Sequence, residues 1–373
     1  MNVAYQGPLK DYSGYGEANR HAVAALDAAG VHVCAKLVRY TSEPSDFGVM
    51  GQLVDKLIKN DDYYKIKIMH TTPDEFLRLK EPGKYHIAHF FWETDKIPKI
   101  FAEGFAHVDE IWTGSQANAD AIKAGGVDKP VYIFPQATQT DREWPAPYEL
   151  PGFPDDGYLF YSIFEWTDRK NPIALIESYL REFQKDEQVG LLIKTYFRNF
   201  TLQNKRLIRD KIAKLKAQMS LKKFPPIFLY LDLMDRDQLM RVHSTGDCYV
   251  SAHRGEGWGV PQVEAMLAGN PVISTGYSGV HEFLTDGKDA KLLPYEMVPL
   301  KGMDHSQHFY TPDQKWADVD PLKLRKAMRW AYENQKDAKS LGEEGRKSAT
   351  NQFNLARVGK LMADRLKEIE ASL

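Results

Sequence analysis

The residues best suited to chemistry lie together in one segment, residues 253–269, with the sequence HRGEGWGVPQVEAMLAG. Its alternate glycines remove side chains from a loop, so a phosphate group can approach backbone N–H groups at the positive end of the following helix. Glu256 lies in this loop, and we expect Glu264 in the first turn of the helix. Because carboxylates accept hydrogen bonds from hydroxyl groups, the segment predicts a site for phosphate together with a sugar or ribose.

The elements around this segment follow the order strand, loop, helix. A strand is predicted at residues 248–252, Pro261 fits the first helical turn, and Gly269 can supply a left-handed C-cap. In the plainer interpretation, the glycines make only a tight turn and Glu264 merely favours a helix N-terminus. The combination of glycines, a tryptophan and two spaced carboxylates favours the ligand site.

Short apolar runs alternate with longer amphipathic stretches along nearly the whole chain, which is the pattern of βαβ units. The predicted fold class is therefore α/β, with two Rossmann-like, doubly wound parallel sheets. Strands are predicted at residues 2–6, 31–38, 65–70, 86–92, 110–113, 131–135, 158–164, 190–195, 227–231, 248–252 and 271–274. The last segment, residues 322–373, is predicted to be helical.

A break in this alternation at residues 143–157 predicts a linker between two domains. The segment, EWPAPYELPGFPDDG, contains four prolines and two glycines, which oppose both helix and strand formation. We predict an N-terminal domain at residues 1–147, a C-terminal domain at 148–350, and a last helix at 351–373. Two doubly wound domains joined by one linker predict that they face each other across a ligand cleft.

Composition and charge exclude several classes of protein. The 373 residues carry 49 Lys and Arg against 51 Asp and Glu, so no overall positive field exists to bind a polyanion. The longest apolar runs fall well short of the roughly 20 residues that a membrane span requires. The cysteines, Cys34 and Cys248, match no metal or redox spacing, and the first residues show no secretion signal. We therefore predict a soluble, cytoplasmic protein.

The spacing of Glu256 and Glu264 is similar to the E-x7-E signature of retaining glycosyltransferases with two Rossmann-like domains, the GT-B fold, and in particular of the GT4 family. Further segments that resemble this family are Ser13-Gly14-Tyr15-Gly16, Trp92-Glu93-Thr94-Asp95, Asp109-Glu110-Ile111-Trp112 leading to Ser115, Arg169-Lys170-Asn171-Pro172 and Gly276-Tyr277-Ser278-Gly279. The resemblance covers essentially the whole chain, and its motifs are most specific in the second half.

The resemblance implies how a sugar nucleotide would be bound. Glu264 would bind the ribose hydroxyls, and Glu256 would contact the donor sugar near the reacting carbon. The donor-binding residues that it implies are Gly14, Gly16, Gly257, Trp258, Gly259, Glu264, Ser278 and Gly279. Lys170, with Arg169 beside it, would neutralise the leaving diphosphate, on which negative charge builds in the transition state. The N-terminal domain would bind the acceptor, and the last helix would cross back to that domain.

Two features depart from the family pattern. Members of the family commonly carry an arginine shortly before the lysine, where this chain has Phe164. They often place a histidine at the end of a first-domain strand near the donor sugar, and the segment HIAHFFWETD offers His89 and Glu93 as catalytic candidates. Acceptor choice is predicted to depend on the loops at residues 40–48 and 85–98.

Three other functions are compatible with parts of the sequence. A nicotinamide dehydrogenase would share Gly14-Tyr15-Gly16, but Asn19 stands at the third glycine position of the dinucleotide fingerprint. A metal-dependent glycosyltransferase would use an Asp-x-Asp pair to bind its metal ion. Residues 235–237 and 318–320 match this motif, although both segments lie where helices are predicted to begin. A non-catalytic sugar-nucleotide or glycan-binding protein of the same fold is the third.

One segment bears on the acceptor. Residues 204–223 carry eight Lys and Arg against one Asp, with apolar residues at helical spacing. Such a helix can lie on an anionic membrane or on nucleic-acid phosphates, or it can pack its apolar stripe on its own sheet. We favour packing on the sheet.

The sequence therefore predicts, by resemblance, a retaining glycosyltransferase that moves a sugar from a nucleoside diphosphate sugar to an acceptor hydroxyl. We expect no metal and no cofactor, because no His and Glu pair shows metal-ligand spacing and both Asp-x-Asp segments sit where helices are predicted to begin. The acceptor can be a glycan, a lipid-linked group, a small molecule or a nucleic acid. The nucleotide, the sugar, the linkage and the oligomeric state are left open.

Overall fold

The structure is a computed structural model that describes residues 1–40, 47–221, 223–301, 303 and 308–373. Contacts divide the chain into two compact units. The first unit comprises Met1–Arg142, His308–Gln314 and Ala349–Leu373, and the second comprises Glu143–Gln307 and Lys315–Ser348. The described part of each unit contains a six-stranded parallel sheet with helices. The predicted α/β class with two parallel-sheet domains is confirmed.

The first unit is built on a doubly wound sheet. Its strands are β1 Asn2–Gly7, β2 His32–Leu37, β3 Ile66–Met69, β4 Tyr85–His89, β5 Glu110–Thr113 and β6 Val131–Ile133. Its helices are α1 Gly14–Ala28, α2 Gly48–Leu57, α3 Phe76–Leu79, α4 Lys99–Phe105 and α5 Gln116–Ala124. The strand order is β2-β1-β3-β4-β5-β6, so the chain reverses its path across the sheet between β1 and β3. Ligands of such sheets bind at this switch point, beside the carboxyl ends of the strands.

The second unit repeats this plan. Its strands are β7 Tyr158–Glu165, β8 Val189–Tyr196, β9 Ile227–Tyr230, β10 Cys248–Ser251, β11 Val272–Thr275 and β12 Lys291–Leu293, followed by an antiparallel hairpin, β13 Tyr295–Pro299 and β14 Lys315–Val319. The helices from here to the end are α6 Pro172–Glu182, α7 Leu202–Gln218, α8 Arg236–Thr245, α9 Val260–Leu267, α10 Pro321–Glu333, α11 Gln335–Phe353 and α12 Leu355–Ser372. Helix α12 and the end of α11 belong to the first unit. The strand order is β12-β11-β10-β7-β8-β9, which places the switch point between β7 and β10.

The predicted strands are all present, as β1 to β11, and their bounds agree with the prediction to within two residues except at the end of one strand. The predicted strand at 86–92 is wrong at its end, since β4 stops at His89. Beyond it, the Asn118 side chain bonds both backbone groups of Trp92, donating to the oxygen at 3.0 Å and accepting from the nitrogen at 3.3 Å. At Trp92, these side-chain hydrogen bonds take the place of the backbone hydrogen bonds that a longer β4 would make to a neighbouring strand. Strands β12, β13 and β14 were not predicted from the sequence, because very short or exposed strands give little alternation of apolar and polar residues.

The basic segment at residues 204–223 forms most of helix α7 and packs as we favoured. Its apolar residues Ile208, Ile212 and Leu215 are buried in the core of the second unit. The helix ends at Gln218, so the last residues of the segment lie beyond it. In the described part of the chain, no helix combines the length and the apolar composition that crossing a bilayer requires.

Helices α1 and α12 approach each other closely in the first unit, because Gly359 of α12 meets the backbone of Ala25 in α1. A β-carbon at residue 359 would lie 1.9 Å from the Ala25 oxygen. We expect Gly359→Ala to lower the free energy of unfolding by about 1–3 kcal/mol, because the two helices must move apart. Urea denaturation measures this. The control is Glu370→Ala at an exposed position of α12, and equal stability of the two variants would contradict the prediction.

Candidate active site

The loops after β7 and β10 lie side by side, because these strands are neighbours in the second sheet. Lys170 ends a short helical turn, Asp168–Lys170, and Glu256 lies in the glycine loop that follows β10. Since the strand order reverses here, the two residues meet at the switch point of the sheet. The fold thus brings together residues that are 86 positions apart in sequence.

Glu256 is a buried carboxylate held by two cations. Its Oε1 accepts a hydrogen bond from Lys170 Nζ, and its Oε2 lies 3.6 Å from Arg169 Nη1. Arg169 also donates to the backbone oxygen of Gly255 at 2.8 Å. Burial alone would raise the pKa of the Glu256 carboxyl, but Lys170 and Arg169 outweigh burial and lower this pKa to about 2. Three of the predicted catalytic residues therefore form one ionised cluster.

The low pKa of Glu256 predicts how stability depends on pH. A carboxyl with a lowered pKa in the folded state stabilises the protein above its ordinary pKa of 4.5, and this contribution is lost as the pH falls towards about 2. Glu256→Gln lacks this ionisation, so we expect its stability deficit at neutral pH to narrow as the pH falls below about 5. Urea denaturation of both proteins at a series of pH values tests this. A deficit that stays constant with pH would contradict the ionised cluster.

The glycine loop is joined by hydrogen bonds to the loop that follows β11. The Gly279 amide and the Ser278 hydroxyl both donate to the backbone oxygen of Glu256, at 2.9 and 2.8 Å. A β-carbon on Gly279 would lie 2.2 Å from the Gly257 oxygen, so glycine is required for this approach. Gly259 has a φ of 105°, which also favours glycine, and α9 begins directly after it. These predicted donor-binding residues thus lie on two loops that hydrogen bonds join to each other.

Helices α6 and α9 both begin beside this cluster without a side-chain cap. Their N-cap residues, Asn171 and Gly259, make no capping hydrogen bond through a side chain. The first N–H groups of a helix lack partners within the helix, and the helix dipole favours an anion near them. The indole of Trp258 is buried and packs against Phe283, with ring centroids 4.9 Å apart. The side chain of Trp258 therefore serves packing, and its backbone remains the part suited to a ligand.

Glu264 lies in the second turn of α9, so the prediction of the first turn is wrong. The helix begins only at Val260, after the positive φ of Gly259, which makes Glu264 its fifth residue. The side chain is buried. Its Oε1 accepts a hydrogen bond from Arg236, and its Oε2 lies 3.3 Å from His243 Nε2. Glu264 is therefore a second buried carboxylate with its own basic partners.

Arg236 and His243 are candidate site residues that were not predicted from the sequence. Both lie on α8, and Arg236 is the middle residue of the Asp-x-Asp segment at 235–237. Asp235 forms a capping box with Gln238, which confirms the helix-start interpretation of that segment. The sequence contains no local signal for Arg236 or His243, because they reach Glu264 from a different βα unit.

In the first unit, Gly14 and Gly16 begin helix α1 but differ in their surroundings. A β-carbon on Gly16 would lie 2.2 Å from the backbone oxygen of Asp11, so packing alone requires a glycine there. A β-carbon on Gly14 would meet no atom within 4 Å among the described residues. Gly16 also donates its amide to the N-cap Ser13 at 3.2 Å. Open space thus lies at Gly14 and not at Gly16.

The structure gives His89 and Glu93 different neighbours in the first unit. His89 ends β4, is buried, and lies beside His70 with ring centroids 4.2 Å apart. Burial lowers the pKa of His89 to about 3. Glu93 accepts a hydrogen bond from Tyr310 Oη at 3.1 Å, and the Trp92 ring stacks on Tyr310 at 5.1 Å. His89 therefore belongs to a histidine pair, and Glu93 to an aromatic cluster.

One group of side chains in the described residues has the composition of a metal site. Ligand atoms of His32, Cys34 and Asp62 lie within 4.8 Å of one another in the first unit. They lie on β2 and before β3, at the amino ends of these strands, whereas the predicted site residues follow the carboxyl ends. Asp320, of the second Asp-x-Asp segment, caps α10 through the Leu322 amide. Independence from metal stays a prediction.

Part of the chain matches a known sequence family. Residues 210–296 match the family model described as glycosyl transferases group 1. This segment contains Arg236, Glu256, Glu264 and Ser278. No curated protein matches the sequence at a significant level.

The whole fold is similar to solved glycosyltransferase structures. Anabaena HepE in complex with UDP and glucose has 12% identity and a TM-score of 0.68, covering 98% of this chain and 99% of that chain. Sucrose-phosphate synthase from Thermosynechococcus elongatus has 14% identity and a TM-score of 0.72, with 100% of both chains covered. A glycosyltransferase from Rickettsia africae has 13% identity and a TM-score of 0.68, covering 99% and 98%. Residues 210–296 are thus similar to the group 1 glycosyltransferases, and the chain shares the GT-B fold of these structures.

Proposed function

We propose that this protein is a retaining, metal-independent glycosyltransferase of the GT4 family, which transfers a sugar from a nucleoside diphosphate sugar to an acceptor hydroxyl. The observation that carries the proposal is the buried cluster of Glu256, Lys170 and Arg169 at the switch point of the second sheet. A sugar diphosphate offers hydroxyl groups to the carboxylate and negative charge to the cations. The uncapped N-termini of α6 and α9 beside the cluster also favour a phosphate.

Two observations support a nucleotide as part of the donor. Glu264 is a buried carboxylate with a second oxygen 3.3 Å from His243, and such a group is suited to accept hydrogen bonds from both ribose hydroxyls. The family resemblance gives Glu264 the same role. The similar HepE structures contain UDP and UDP-glucose, so UDP sugars are the first donors to test.

In the proposed reaction, the bond between the anomeric carbon and the diphosphate oxygen breaks, and the acceptor oxygen bonds to that carbon on the same face. The electron pair of the broken bond stays on the diphosphate, which also takes up the proton of the acceptor hydroxyl. Lys170 and Arg169 stabilise the charge that develops on the leaving oxygen, since cations that are already in place lower the barrier. In metal-dependent enzymes, a bound metal ion stabilises this charge instead.

The pKa of Glu256 limits the part that this residue can play. A carboxyl with a pKa of about 2 is ionised at neutral pH, so Glu256 cannot act as a general acid and is a weak base. An ionised carboxylate is suited to accept hydrogen bonds from the donor sugar and to stabilise positive charge at the reacting carbon. We therefore assign Glu256 a positioning and electrostatic role rather than a covalent one.

The first unit is proposed to supply the acceptor side and part of the donor-sugar side. The open space at Gly14 supports an approach of the diphosphate or the acceptor to this glycine. His89 and Glu93 remain the two candidates for the reacting centre. Of the predicted acceptor loop at 40–48, residues 41–46 lie outside the described residues.

A contact of helix α7 with an anionic acceptor, a membrane surface or a nucleic acid is the interpretation that we did not favour from the sequence, whereas the cytoplasmic setting stays a prediction. Charge reversal at Lys211, Lys214 and Lys216 tests the contact. Lower turnover of a lipid-linked or nucleic-acid acceptor, with unchanged nucleotide affinity, would support it. Unchanged acceptor turnover would contradict it.

A panel of nucleotides tests the proposed function. We would measure thermal unfolding with UDP-, GDP-, ADP- and dTDP-sugars and with NAD(H), each with EDTA and with Mn²⁺. A ligand at about 100 times its Kd stabilises the folded state by about 2.7 kcal/mol, which raises the Tm by several degrees. We expect one family of nucleotide sugars to do so in EDTA. A shift with NAD(H) alone, or only with Mn²⁺, would contradict the proposal, and binding without turnover would indicate a non-catalytic protein.

A further inference from the structure

Three side chains with metal-binding atoms lie together at the amino end of the first sheet. His32 and Cys34 belong to β2, and Asp62 lies in the segment that leads into β3. Alternate residues of a strand point to the same face, so His32 and Cys34 share one face of β2. One ligand atom from each of the three residues lies within 4.8 Å of the other two.

Hydrogen bonds hold the segment before β3 against both β1 and β2. The side chain of Asn60 donates to the backbone oxygen of Val33 in β2 at 2.8 Å. The side chain of Asn2 in β1 donates to the backbone oxygen of Tyr63 at 3.1 Å. The chain is thus fastened to the sheet on both sides of Asp62. Folding of the first unit therefore places this carboxylate at β2 without any help from a metal ion.

The three side chains are also in direct contact. His32 Nε2 lies 2.6 Å from Asp62 Oδ2, and Cys34 Sγ lies 3.6 Å from the backbone oxygen of Asp62. Cys34 is buried, whereas the side chains of His32 and Asp62 are 45% and 53% exposed. An ion can therefore reach the group from solvent, and water can complete its coordination.

The separations fit a single small metal ion. Three atoms that lie within 4.8 Å of one another share a centre no more than about 2.8 Å from each of them. Bonds from zinc to nitrogen, oxygen and sulfur ligands are about 2.0–2.3 Å long, so small movements of the three side chains complete them. Zinc would replace the proton that the imidazole of His32 shares with the carboxylate of Asp62.

The types of ligand determine which ion fits. Calcium and magnesium bind oxygen ligands, so a cysteine disfavours both. Zinc binds thiolate, imidazole and carboxylate groups, and three protein ligands leave its fourth position to water. The group lies at the amino ends of the strands, whereas Gly14 and His89 follow the carboxyl ends at which ligands of such sheets bind. This placement favours a structural ion over a catalytic one.

We propose that His32, Cys34 and Asp62 form a structural zinc site that joins β2 to the segment before β3. Cys34 binds as the thiolate, and its proton passes to solvent. The sequence did not predict a metal site at Cys34, because the carboxylate ligand lies 28 residues further along the chain. The site goes beyond the proposed function and does not depend on it. Sugar transfer that continues in EDTA is compatible with this zinc site.

Cobalt(II) tests the ligand set, because it replaces zinc and gives a thiolate-to-cobalt absorption band. The full chain, freed of metal with a chelator and kept reduced, is titrated with Co²⁺ and then with Zn²⁺. We expect one Co²⁺ per chain with this band, and we expect Zn²⁺ to displace it, since zinc binds such sites more tightly. Cys34→Ser should lose the band, and Cys248→Ser, which changes the other cysteine, should keep it. A titration without the band, or a band that persists in Cys34→Ser, would overturn the proposal.

Zinc affinity tests the carboxylate ligand. Calorimetry should show that Asp62→Asn binds zinc at least about tenfold more weakly, since the loss of even an outer partner of a metal ligand costs ten- to a hundredfold. The control is Asp128→Asn, at an exposed aspartate before β6 in the same unit, which should bind zinc as the wild type does. Circular dichroism without metal checks that both variants fold. Wild-type zinc affinity in Asp62→Asn, or an equal loss in the control, would overturn the proposed ligand set.

Discussion

Replacing Glu256 with glutamine is expected to lower kcat by about a hundredfold to a thousandfold, the loss typical of removing one preorganised electrostatic group. Glutamine keeps the size of the side chain but removes the charge that faces Lys170 and Arg169. The two cations then lack their carboxylate and become more available to the phosphates. We therefore expect nucleotide affinity at or above the wild-type value. Calorimetry with the nucleoside diphosphate and initial rates with the sugar donor measure the two quantities separately.

The matched control is Glu187→Gln in the same unit. Glu187 is also paired with an arginine, Arg329, which lowers the pKa of its carboxyl. It precedes β8 and lies outside the candidate site, so both kcat and affinity should stay close to wild type. Lys170→Met should lower kcat by a factor similar to Glu256→Gln but should also weaken nucleotide binding. Wild-type turnover in Glu256→Gln would contradict the role that we assign to the cluster.

Replacing Glu264 with alanine is expected to weaken nucleotide binding strongly. Hydrogen bonds from two ribose hydroxyls to a buried carboxylate are worth about 2–3 kcal/mol together, which raises Kd by roughly thirtyfold to a hundredfold or more. Calorimetric titration with UDP, or with the nucleotide that the panel identifies, measures this change. Glu264→Gln preserves the volume of this buried side chain. If it also loses nucleotide affinity, the loss in the alanine variant does not come from a packing defect.

Inorganic pyrophosphate provides a ligand control for Glu264. It carries the phosphates of the donor without the ribose, so Glu264→Ala should bind it as the wild type does. An equal loss of affinity for pyrophosphate and for the nucleotide would contradict a ribose contact. Wild-type affinity for the nucleotide would contradict it as well.

The loop after β10 could be predicted from the sequence because its signals are local. Glycine spacing, Pro261 and Gly269 mark a loop and a helix within a few residues, and the helix contains Pro261 in its first turn as expected. Gly269 has the predicted positive φ of 79°. The family resemblance implied separate roles at the donor for Glu256 and Lys170 but no contact between them, and the structure pairs the two side chains.

Contacts that join distant segments could not be predicted in this way. Helix α9 begins only after Gly259, whose positive φ is not helical, so Glu264 lies in the second turn of the helix rather than in the first. Arg236 reaches Glu264 from another helix, 28 residues away in sequence. The approach of His70 to Tyr5 requires the pairing of β1 with β3 across 65 residues. A single sequence carries no periodic signal for such pairs, since only the assembled sheet defines them.

The most direct test of the central claim is the anomeric configuration of the sugar that the protein releases from its donor. With the donor from the nucleotide panel, for example α-linked UDP-glucose, ¹H NMR in EDTA distinguishes the anomers before they interconvert in solution. We predict that the sugar first appears as the α anomer and that Glu256→Gln releases it at least a hundredfold more slowly, as expected for losing a preorganised charge. First release of the β anomer, or release only after Mn²⁺ is added, would contradict a retaining, metal-independent transfer.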